Sequence, residues 1–114
     1  ESDRLAGIRL LTACLGTLEL DHDGRSAWLH IDRDMYEQAG ADVEDTEGFI
    51  DYGRRVRGVE IAVFIRPDTE PDAWKVTFRS KKTADVSKLA AMFGGGGHVH
   101  AAGCRMRGSM DKVR

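Results

Sequence analysis

Residues 94–103 read Gly94-Gly95-Gly96-Gly97-His98-Val99-His100-Ala101-Ala102-Gly103. Glycine loses more conformational freedom on folding than any other residue, so a folded domain keeps such a run where something must approach bare backbone. Successive amides without Cβ atoms can form a concave nest for an anion, usually a phosphate, and a histidine can donate a hydrogen bond to it. A flexible linker is the alternative, but the flanks follow the patterns of packed elements rather than of a Ser- or Pro-rich spacer.

The segments around the glycine run occur in an order that a known family shares. Upstream lie Val76-Thr77-Phe78-Arg79-Ser80 and Asp85-Val86-Ser87-Lys88-Leu89-Ala90, then Phe93. Still farther upstream lie Glu47-Gly48-Phe49-Ile50-Asp51 and Gly58-Val59-Glu60-Ile61-Ala62-Val63-Phe64. Together with the glycine run, these segments resemble the C-terminal, DHH-associated domain of DHH-family phosphoesterases, and most of all that of the bacterial nano-RNase/pAp phosphatases. The resemblance covers roughly residues 25–108 and is strongest at 76–103.

This resemblance implies the substrate-binding lobe of a manganese-dependent phosphoesterase that hydrolyses short oligoribonucleotides, pAp or both. In the family scheme the glycines wrap the terminal phosphate or sugar, His98 contacts the scissile phosphate in a supporting catalytic role, and Arg79 holds a phosphate or base. The implied substrate-binding residues are Arg79, Ser80, Gly94, Gly95, Gly96, Gly97, His98, Ala102 and Gly103. Manganese would be bound by an N-terminal DHH domain whose motifs this sequence lacks, so the chain alone is expected to hydrolyse nothing.

Other functions remain open at this point. A RecJ-type exonuclease or a cyclic-dinucleotide phosphodiesterase belongs to the same class. A nucleic-acid-binding module without hydrolysis is the alternative of a different class, because the C-terminal domain of alanyl-tRNA synthetases resembles this chain in its glycine run; there Arg-Pro usually follows, whereas His98 stands here. The expected partners are short RNA or a nucleotide, the protein's own N-terminal DHH domain and a second copy of the full-length protein, but no membrane.

The composition is typical of one globular domain with an ordinary soluble surface, and we expect a cytoplasmic location. The 114 residues, 41% of them hydrophobic, suit one core, so residues 1–114 are taken as a single domain. A net charge of −2 excludes a polybasic nucleic-acid coat, so nucleic acid would be bound through a small pocket. No run approaches the roughly twenty apolar residues of a membrane span. Cys14 and Cys104 fit buried free thiols in a reducing compartment, and Glu1 in place of Met indicates a piece of a longer protein.

In the first half of the chain, apolar spacing predicts two helices around a hairpin and a third helix after them. A helix over residues 3–16 would bury one stripe, formed by Leu5, Ile8, Leu11, Leu15 and Leu18. Residues 21–24 join a hairpin, in whose second arm Ala27, Leu29 and Ile31 share one face. Asp32 caps a short helix that Gly40 ends, and a further helix runs from about Glu47 to Arg57.

In the second half, alternation predicts three strands and one helix. Two strands carry Val59, Ile61, Val63 and Ile65, then Trp74, Val76 and Phe78. Thr83 or Ser80 opens a helix that buries Val86, Leu89, Ala90 and Phe93. Residues 98–102 could form one further helical turn, before a closing strand with Cys104 and Met106 inward and Arg105 and Arg107 outward. The chain is therefore predicted to be a single α/β domain with a mixed sheet of about five strands and helices packed on it.

Polar residues near the glycine run are the first candidates for chemistry. Arg79 lies on the strand face opposite Val76 and Phe78, and its planar guanidinium suits bidentate phosphate binding. Ser80 fits a helix cap or a ligand donor equally. His98 and His100 are two residues apart, but a metal needs three or four ligands, so a phosphate hydrogen bond is the preferred role for His98 and a structural or merely exposed position for His100.

Two further clusters have competing interpretations. Asp21-His22-Asp23 is similar to the Asp-His-His motif that names the family, yet it precedes Gly24, where Asp is expected in a turn for backbone reasons, and Asp23 replaces the second histidine. We therefore interpret it as a turn. Arg54, Arg55 and Arg57 form a basic helix face that fits a solvated surface first and a phosphate-backbone track second.

Overall fold

Helices and strands alternate along the chain. The computed structural model describes residues 3–81 and 84–110. The elements are α1 (Leu5–Leu15), β1 (Glu19–Leu20), β2 (Ser26–His30), α2 (Arg33–Ala39), a 3-10 helix (Val43–Thr46), α3 (Phe49–Arg54), β3 (Ile61–Pro67), β4 (Ala73–Ser80), α4 (Val86–Ala91), β5 (Gly96–His98) and β6 (Ala101–Arg107). None of the helices in the described ranges is long and apolar enough to cross a bilayer.

One mixed sheet of six strands, in the order β1-β2-β3-β4-β6-β5, organises the domain. β2 and β3 run parallel, and the other neighbouring strands are antiparallel. The predicted α/β class and mixed sheet are confirmed. The strand that the sequence did not predict is β5: the further helical turn expected at 98–102 was wrong, because Gly96–His98 pair with 101–103 and the chain reverses at Val99–His100.

Helices cover the two faces of this sheet unequally. On one face α4 buries Val86 and Ala90 against an apolar layer of Val63, Ile65, Val76, Phe78, Ala102 and Cys104. On the other face α1 and α3 pack over β2 and β3, and that apolar cluster takes no residue from β4, β5 or β6. We call the rest of this second face the open face; it carries Lys75, Thr77, Arg79, Ala101, Gly103, Arg105, Gly96 and His98.

Helix α1 forms where predicted, but it buries a different stripe. Leu10 and Cys14 are fully buried, whereas Leu5 and Ile8 are exposed, so the first part of the predicted stripe was wrong; its later members Leu11 and Leu18 pack in part against the core. The cause is Gly7, because a Cβ built there would lie 3.1 Å from Oδ1 of Asp45. Glycine at this position lets the helix approach the 3-10 helix closely and turns the neighbouring stripe inward.

Capping residues fix the helix ends. Asp32 accepts a hydrogen bond from the Met35 amide at the start of α2, and Gly40 ends that helix in the left-handed region, both as predicted. The start of α4 differs from the prediction: Asp85, not Ser80, is its cap and accepts from the amides of Ser87 and Lys88. Thr83, the other predicted start, lies outside the described residues.

Two predicted helices are shorter than expected. The helix predicted from about Glu47 to Arg57 is α3, and it covers only Phe49–Arg54. α4 ends at Ala91, and Phe93 is 49% exposed rather than buried in the core stripe. Residues 92–95 therefore connect the end of α4 to the start of β5 at the edge of the sheet.

Candidate functional site

The glycine run forms the outer arm of a tight hairpin at the sheet edge. Gly96, Gly97 and His98 lie opposite Gly103, Ala102 and Ala101, and Val99–His100 make the turn. Two backbone bonds hold this turn against the rest of the domain: the Ser80 amide donates to the His100 carbonyl at 3.0 Å, and the Val86 amide donates to the Val99 carbonyl at 2.8 Å. The hairpin is thus fastened to the end of β4 and the start of α4.

Three of the four glycines are required by the fold itself. Gly94 has a φ of +81°, and a Cβ on Gly95 would come within 2.7 Å of the Cys104 Cβ. Gly97 combines a φ of +144° with a Cβ position 2.6 Å from the Ala101 carbonyl oxygen. Any side chain at these positions would strain the backbone or collide with β6.

Gly96 is different from its neighbours. Its φ lies outside the left-handed region, and a Cβ built on it meets no atom within 4 Å. Gly96 lies opposite Gly103 of β6, which in turn lies opposite Thr77 of β4, and all three belong to the open face. Nothing among the described residues explains why residue 96 lacks a side chain, so the bare backbone there is accessible to a molecule outside this domain.

Strand register brings two predicted site residues into one row on the open face. Arg79 lies opposite Ala101, and Ala101 lies opposite His98. Directly opposed residues in neighbouring strands point to the same face, and two strand spacings separate their Cα atoms by about 10 Å. Since Ala101 between them is small, the long Arg79 and His98 side chains can reach one anion above it.

Arg79 has no acidic partner in the described part of the chain. Its Nη1 donates to the Phe78 carbonyl at 3.1 Å, and no ion pair joins it to a carboxylate there. The other cations of this domain are often paired, as Arg4 is with Asp45 at 2.7 Å and Arg107 with Glu70 at 2.6 Å. The Arg79 guanidinium therefore retains free donors in the fixed fork geometry that suits a phosphate.

The other two predicted site residues, Ser80 and Ala102, have side chains on the α4 face. The buried Ser80 hydroxyl donates to the Ala84 carbonyl at 2.8 Å and lies 3.0 Å from Nδ1 of His100. A hydroxyl has one proton, so the His100 Nδ1 is the donor in that second bond. Ala102 is buried beside Phe78. These residues support the hairpin from the α4 face. The predicted site residues Arg79, His98, Gly96 and Gly103 lie instead on the open face.

A cationic cleft, which sequence reasoning missed, continues the open face beyond Gly103. It encloses about 390 Å³ between the glycine run and the middle of β3, β4 and β6, and its lining includes Arg66, Lys75, Thr77, Phe93, Gly94 and Arg105. Arg66, Lys75 and Arg105 are opposed across three strands and so form one row. Strand alternation from Arg79 back to Lys75 could have placed Lys75 on the same face. The positions of Arg66 and Arg105 could not be predicted in this way, because they depend on how β3 and β6 pair with β4.

The acidic and histidine clusters do not form a metal site in the described residues. No three His, Cys, Asp or Glu side chains come together there, so these residues do not fit a bound manganese ion. The interpretation of Asp21-His22-Asp23 as a turn is confirmed: Asp21 Oδ1 accepts from the amides of Arg25 and Ser26 at 3.0 and 3.1 Å, and Gly24 has a φ of +74°. Hydrogen bonds, chiefly from Ser26, lower the pKa of the Asp21 carboxyl to about 2.

The basic segment at 54–57 is not one helix face. Arg54 pairs with Asp51 at 3.1 Å, and the guanidinium of Arg55 lies 5.2 Å from the centre of the Tyr52 ring. Arg57 lies beyond the end of α3. These local contacts favour the solvated-surface interpretation over a track for a phosphate backbone.

Comparison with known proteins gives one family match. Residues 28–113 match the family model described as the DHHA1 domain. The chain is 35% identical over 100 residues to the bifunctional oligoribonuclease and PAP phosphatase NrnA of Thermus thermophilus. That alignment covers 88% of this chain and 29% of the relative, so the chain spans less than a third of the relative's length.

Solved structures show the same architecture. An exopolyphosphatase-related protein from Bacteroides fragilis superposes with a TM-score of 0.90 at 27% identity, over 98% of this chain and 33% of that one. PggH, a pGpG-specific phosphodiesterase from Vibrio cholerae, gives a TM-score of 0.62 at 14% identity, over 93% of this chain and 33% of that one. The second likeness concerns the fold alone.

Proposed function

Since this chain belongs to the DHHA1 domain family, we propose that it is the substrate-binding lobe of a phosphoesterase acting on short oligoribonucleotides, pAp or both. The NrnA relative, whose name gives both activities, supports this substrate class. The proposal gives His98 and Arg79 the phosphate contacts and gives the glycine hairpin the close approach of ligand to backbone. His98, rather than the Arg-Pro of the synthetase domains, favours the phosphoesterase over a module without hydrolysis.

The observation that carries the proposal is the row formed by Arg79, Ala101 and His98. It places a fixed guanidinium and an imidazole on the same face, with a small residue between them. Two donors that converge from opposite sides can hold a phosphate in one orientation, and preorganised donors stabilise charge that develops on it during reaction. The bare backbone at Gly96 leaves room for the ester oxygen or sugar beside His98.

The lobe would position substrate while the rest of the protein supplies the hydrolytic groups. Because the described residues bring no metal-ligating set together, manganese and the nucleophile are assigned to an N-terminal DHH domain. Arg79 and His98 orient the phosphate toward that domain, and closure of the two lobes excludes water from the site. We place the reaction in the cytoplasm, a location that the two buried free cysteines fit.

Chemical-shift mapping with pAp tests this assignment on the 114-residue chain. We expect binding in the high-micromolar range or weaker, since half of a cleft leaves the ligand largely hydrated. The amides of 95–98 and the Arg79 side chain should shift together. Shifts centred on Arg54, Arg55 and Arg57 instead would contradict the proposed site.

Activity assays test the division of labour. The chain alone, incubated with manganese and either pAp or RNA of two to five residues, should release no product. Turnover that persists after repurification would mean that this chain holds its own catalytic centre. The search for ligands would then start from its four histidines, His22, His30, His98 and His100.

A further inference from the structure

The cationic cleft beside the glycine run has no part in holding the phosphate between Arg79 and His98. We propose that it is a second phosphate subsite, which binds a phosphodiester farther along the same oligoribonucleotide. This inference rests on the proposed function, and it makes an oligonucleotide of at least three linked nucleotides the ligand that fills both subsites, whereas a mononucleotide such as pAp fills only the first.

The spacing along β4 sets that length. Lys75 is four residues from Arg79 on the same face of one strand, which separates their Cα atoms by about 13 Å. Six covalent bonds join neighbouring phosphorus atoms through one ribose, a reach of about 7 Å by the same bond geometry that limits a peptide chain. Two nucleotide steps therefore bring a phosphate from the Arg79 row to the Lys75 row, and one step does not.

The charges in the cleft fit a phosphodiester. Three cations lie in one row and no acidic residue lines the cleft, so its field is positive. Lys75 makes no ion pair in the described ranges, and Arg105 uses its Nε for Asp68 at 3.2 Å, which leaves its terminal nitrogens able to donate. Thr77 and Gly103, between the two rows, are small enough to let the chain lie along the floor.

One wall of the cleft is suited to a base. Phe93 lines it and is 49% exposed, and the adjoining Gly94 and Gly95 add no side chains beside the ring. Aromatic rings stack any of the four bases, because each base has a π-face. Cations on the floor and one ring at the edge are the two parts from which sites for single-stranded nucleic acid are built.

NMR titration of the 114-residue chain with 5′-phosphorylated oligouridylates of one to five nucleotides tests the subsite. Affinity should rise about tenfold or more between two and three nucleotides and level off after that, because the third phosphate reaches the Lys75 row. In Lys75→Gln this rise should disappear while mononucleotide binding is unchanged. The slope of log affinity against log salt for the trinucleotide should fall by about 0.7, the value of one phosphate contact on a single strand.

Matched variants separate the possible outcomes. Lys88→Gln removes an exposed lysine of α4, on the other face of the sheet, and should leave the whole length series as in the wild type. Arg66→Gln should repeat the effect of Lys75→Gln, and circular dichroism of each variant checks its fold. Arg79→Gln should weaken every length, including the mononucleotide; if it weakens none, the proposed function fails.

Three results would overturn the subsite while leaving the proposed function intact. The first is an affinity that does not depend on length while Arg79→Gln still weakens binding. The second is an equal rise in wild type and Lys75→Gln. The third is that tripolyphosphate binds as tightly as the trinucleotide and that Phe93→Leu binds the trinucleotide as tightly as the wild type does, which would assign the cleft to a bare phosphate chain.

Discussion

One face of the sheet has two halves: a covered half, in which β2 and β3 are buried under helices, and the open face on β4, β5 and β6. The same rows of paired residues cross both halves, but the residues are apolar and buried in the first half and polar or small in the second. In one row Ala27 and Ala62 are fully buried under α3, while Arg79, Ala101 and His98 continue the row into solvent. In the next row Leu29 and Phe64 are buried, whereas Thr77, Gly103 and Gly96 continue it.

Packing explains where the change occurs. Gly53 of α3 would place a Cβ 3.5 Å from the Cβ atoms of both Ala27 and Ala62, so the helix lies close on the β2–β3 half. Beyond β3 the residues become cationic or small, and they have too little apolar surface to hold a helix. The same sheet thus carries buried apolar residues on one side of the β3–β4 boundary and, on the other, the face on which we place the ligand.

The largest expected effect removes a buried ring from the covered half. Phe64→Ala should cost about 3–5 kcal/mol of unfolding free energy, because Phe64 is 4% exposed and packs against Phe49. Its row neighbour on the open half, Thr77→Ala, should cost under about 1 kcal/mol. Urea unfolding of both variants measures the difference, and equal losses would contradict the functional division of the face.

The next effect concerns turnover in the proposed full-length phosphoesterase. His98→Ala should lower kcat by roughly 10²- to 10³-fold with the fold intact, as loss of other preorganised donors does. His100→Ala is the control: it removes the bond to Ser80, at a cost of about 1 kcal/mol of stability, but no predicted phosphate contact. Steady-state kinetics of both variants measure the loss of kcat, and thermal melts measure the loss of stability. Equal small effects on kcat would reject the glycine hairpin as the phosphate site.

Two glycines that are adjacent in sequence should respond in opposite ways. Gly97→Ala should destabilise the domain by about 1–3 kcal/mol, because its φ is +144° and the new Cβ would meet β6. Gly96→Ala should be neutral or stabilise by up to about 1 kcal/mol, since Ala restricts the unfolded chain and meets nothing in the folded one. Nucleotide titrations should nevertheless show weaker binding by Gly96→Ala.

Gly96→Val extends that test in the proposed full-length phosphoesterase, where the branched side chain should raise KM. A branched side chain at residue 96 should not strain the backbone, because Gly96, unlike Gly94 and Gly97, does not have a positive φ. A Gly96 variant that binds as wild type does would leave the bare backbone at this position without a functional explanation.

Local patterns were sufficient to predict most elements of this fold. The Asp32 and Gly40 signals, the alternation in β2 and β4, and the inward Cys104 of β6 each depend on a few neighbouring residues, and each is confirmed. β5 could not be predicted in the same way, because it depends on contacts with β6: a Cβ on Gly95 or Gly97 would collide with that strand, and the local sequence does not show this contact. The exposure of Leu5 and Ile8 in α1 could not be predicted either, since Gly7 packs against a residue 38 positions away, Asp45.

The site was predictable only where it depends on motif rather than register. Arg79 and His98 were identified from the sequence order around the glycine run, and the structure places them in one row. Ser80 and Ala102 belong to the same motif, but strand alternation turns their side chains to the α4 face. Lys75 and Arg66 carry no motif, and only the pairing of β3, β4 and β6 brings them together with Arg105.

The smallest expected effect concerns the Asp21 turn, far along the sheet from the open face. The pKa of the Asp21 carboxyl is lowered from 3.8 to about 2, so its folded form prefers the carboxylate more than its unfolded form does. The resulting contribution to stability is fully present above the unfolded value and is lost as pH falls from about 4 through about 2. Asp21→Asn should therefore flatten the stability–pH curve slightly in that window, as measured by urea unfolding at several pH values.

The same variant discriminates between the turn and a catalytic motif. If Asp21 only accepts hydrogen bonds from the amides of Arg25 and Ser26, then Asp21→Asn should leave turnover by the proposed full-length phosphoesterase unchanged. His22→Ala, exposed in the same turn, should be equally silent. A large loss of activity in either variant would mean that this end of the sheet, and not only the open face, takes part in the reaction. The contrast between a stabilising half and a ligand-binding half would then have to be redrawn to include β1 and β2.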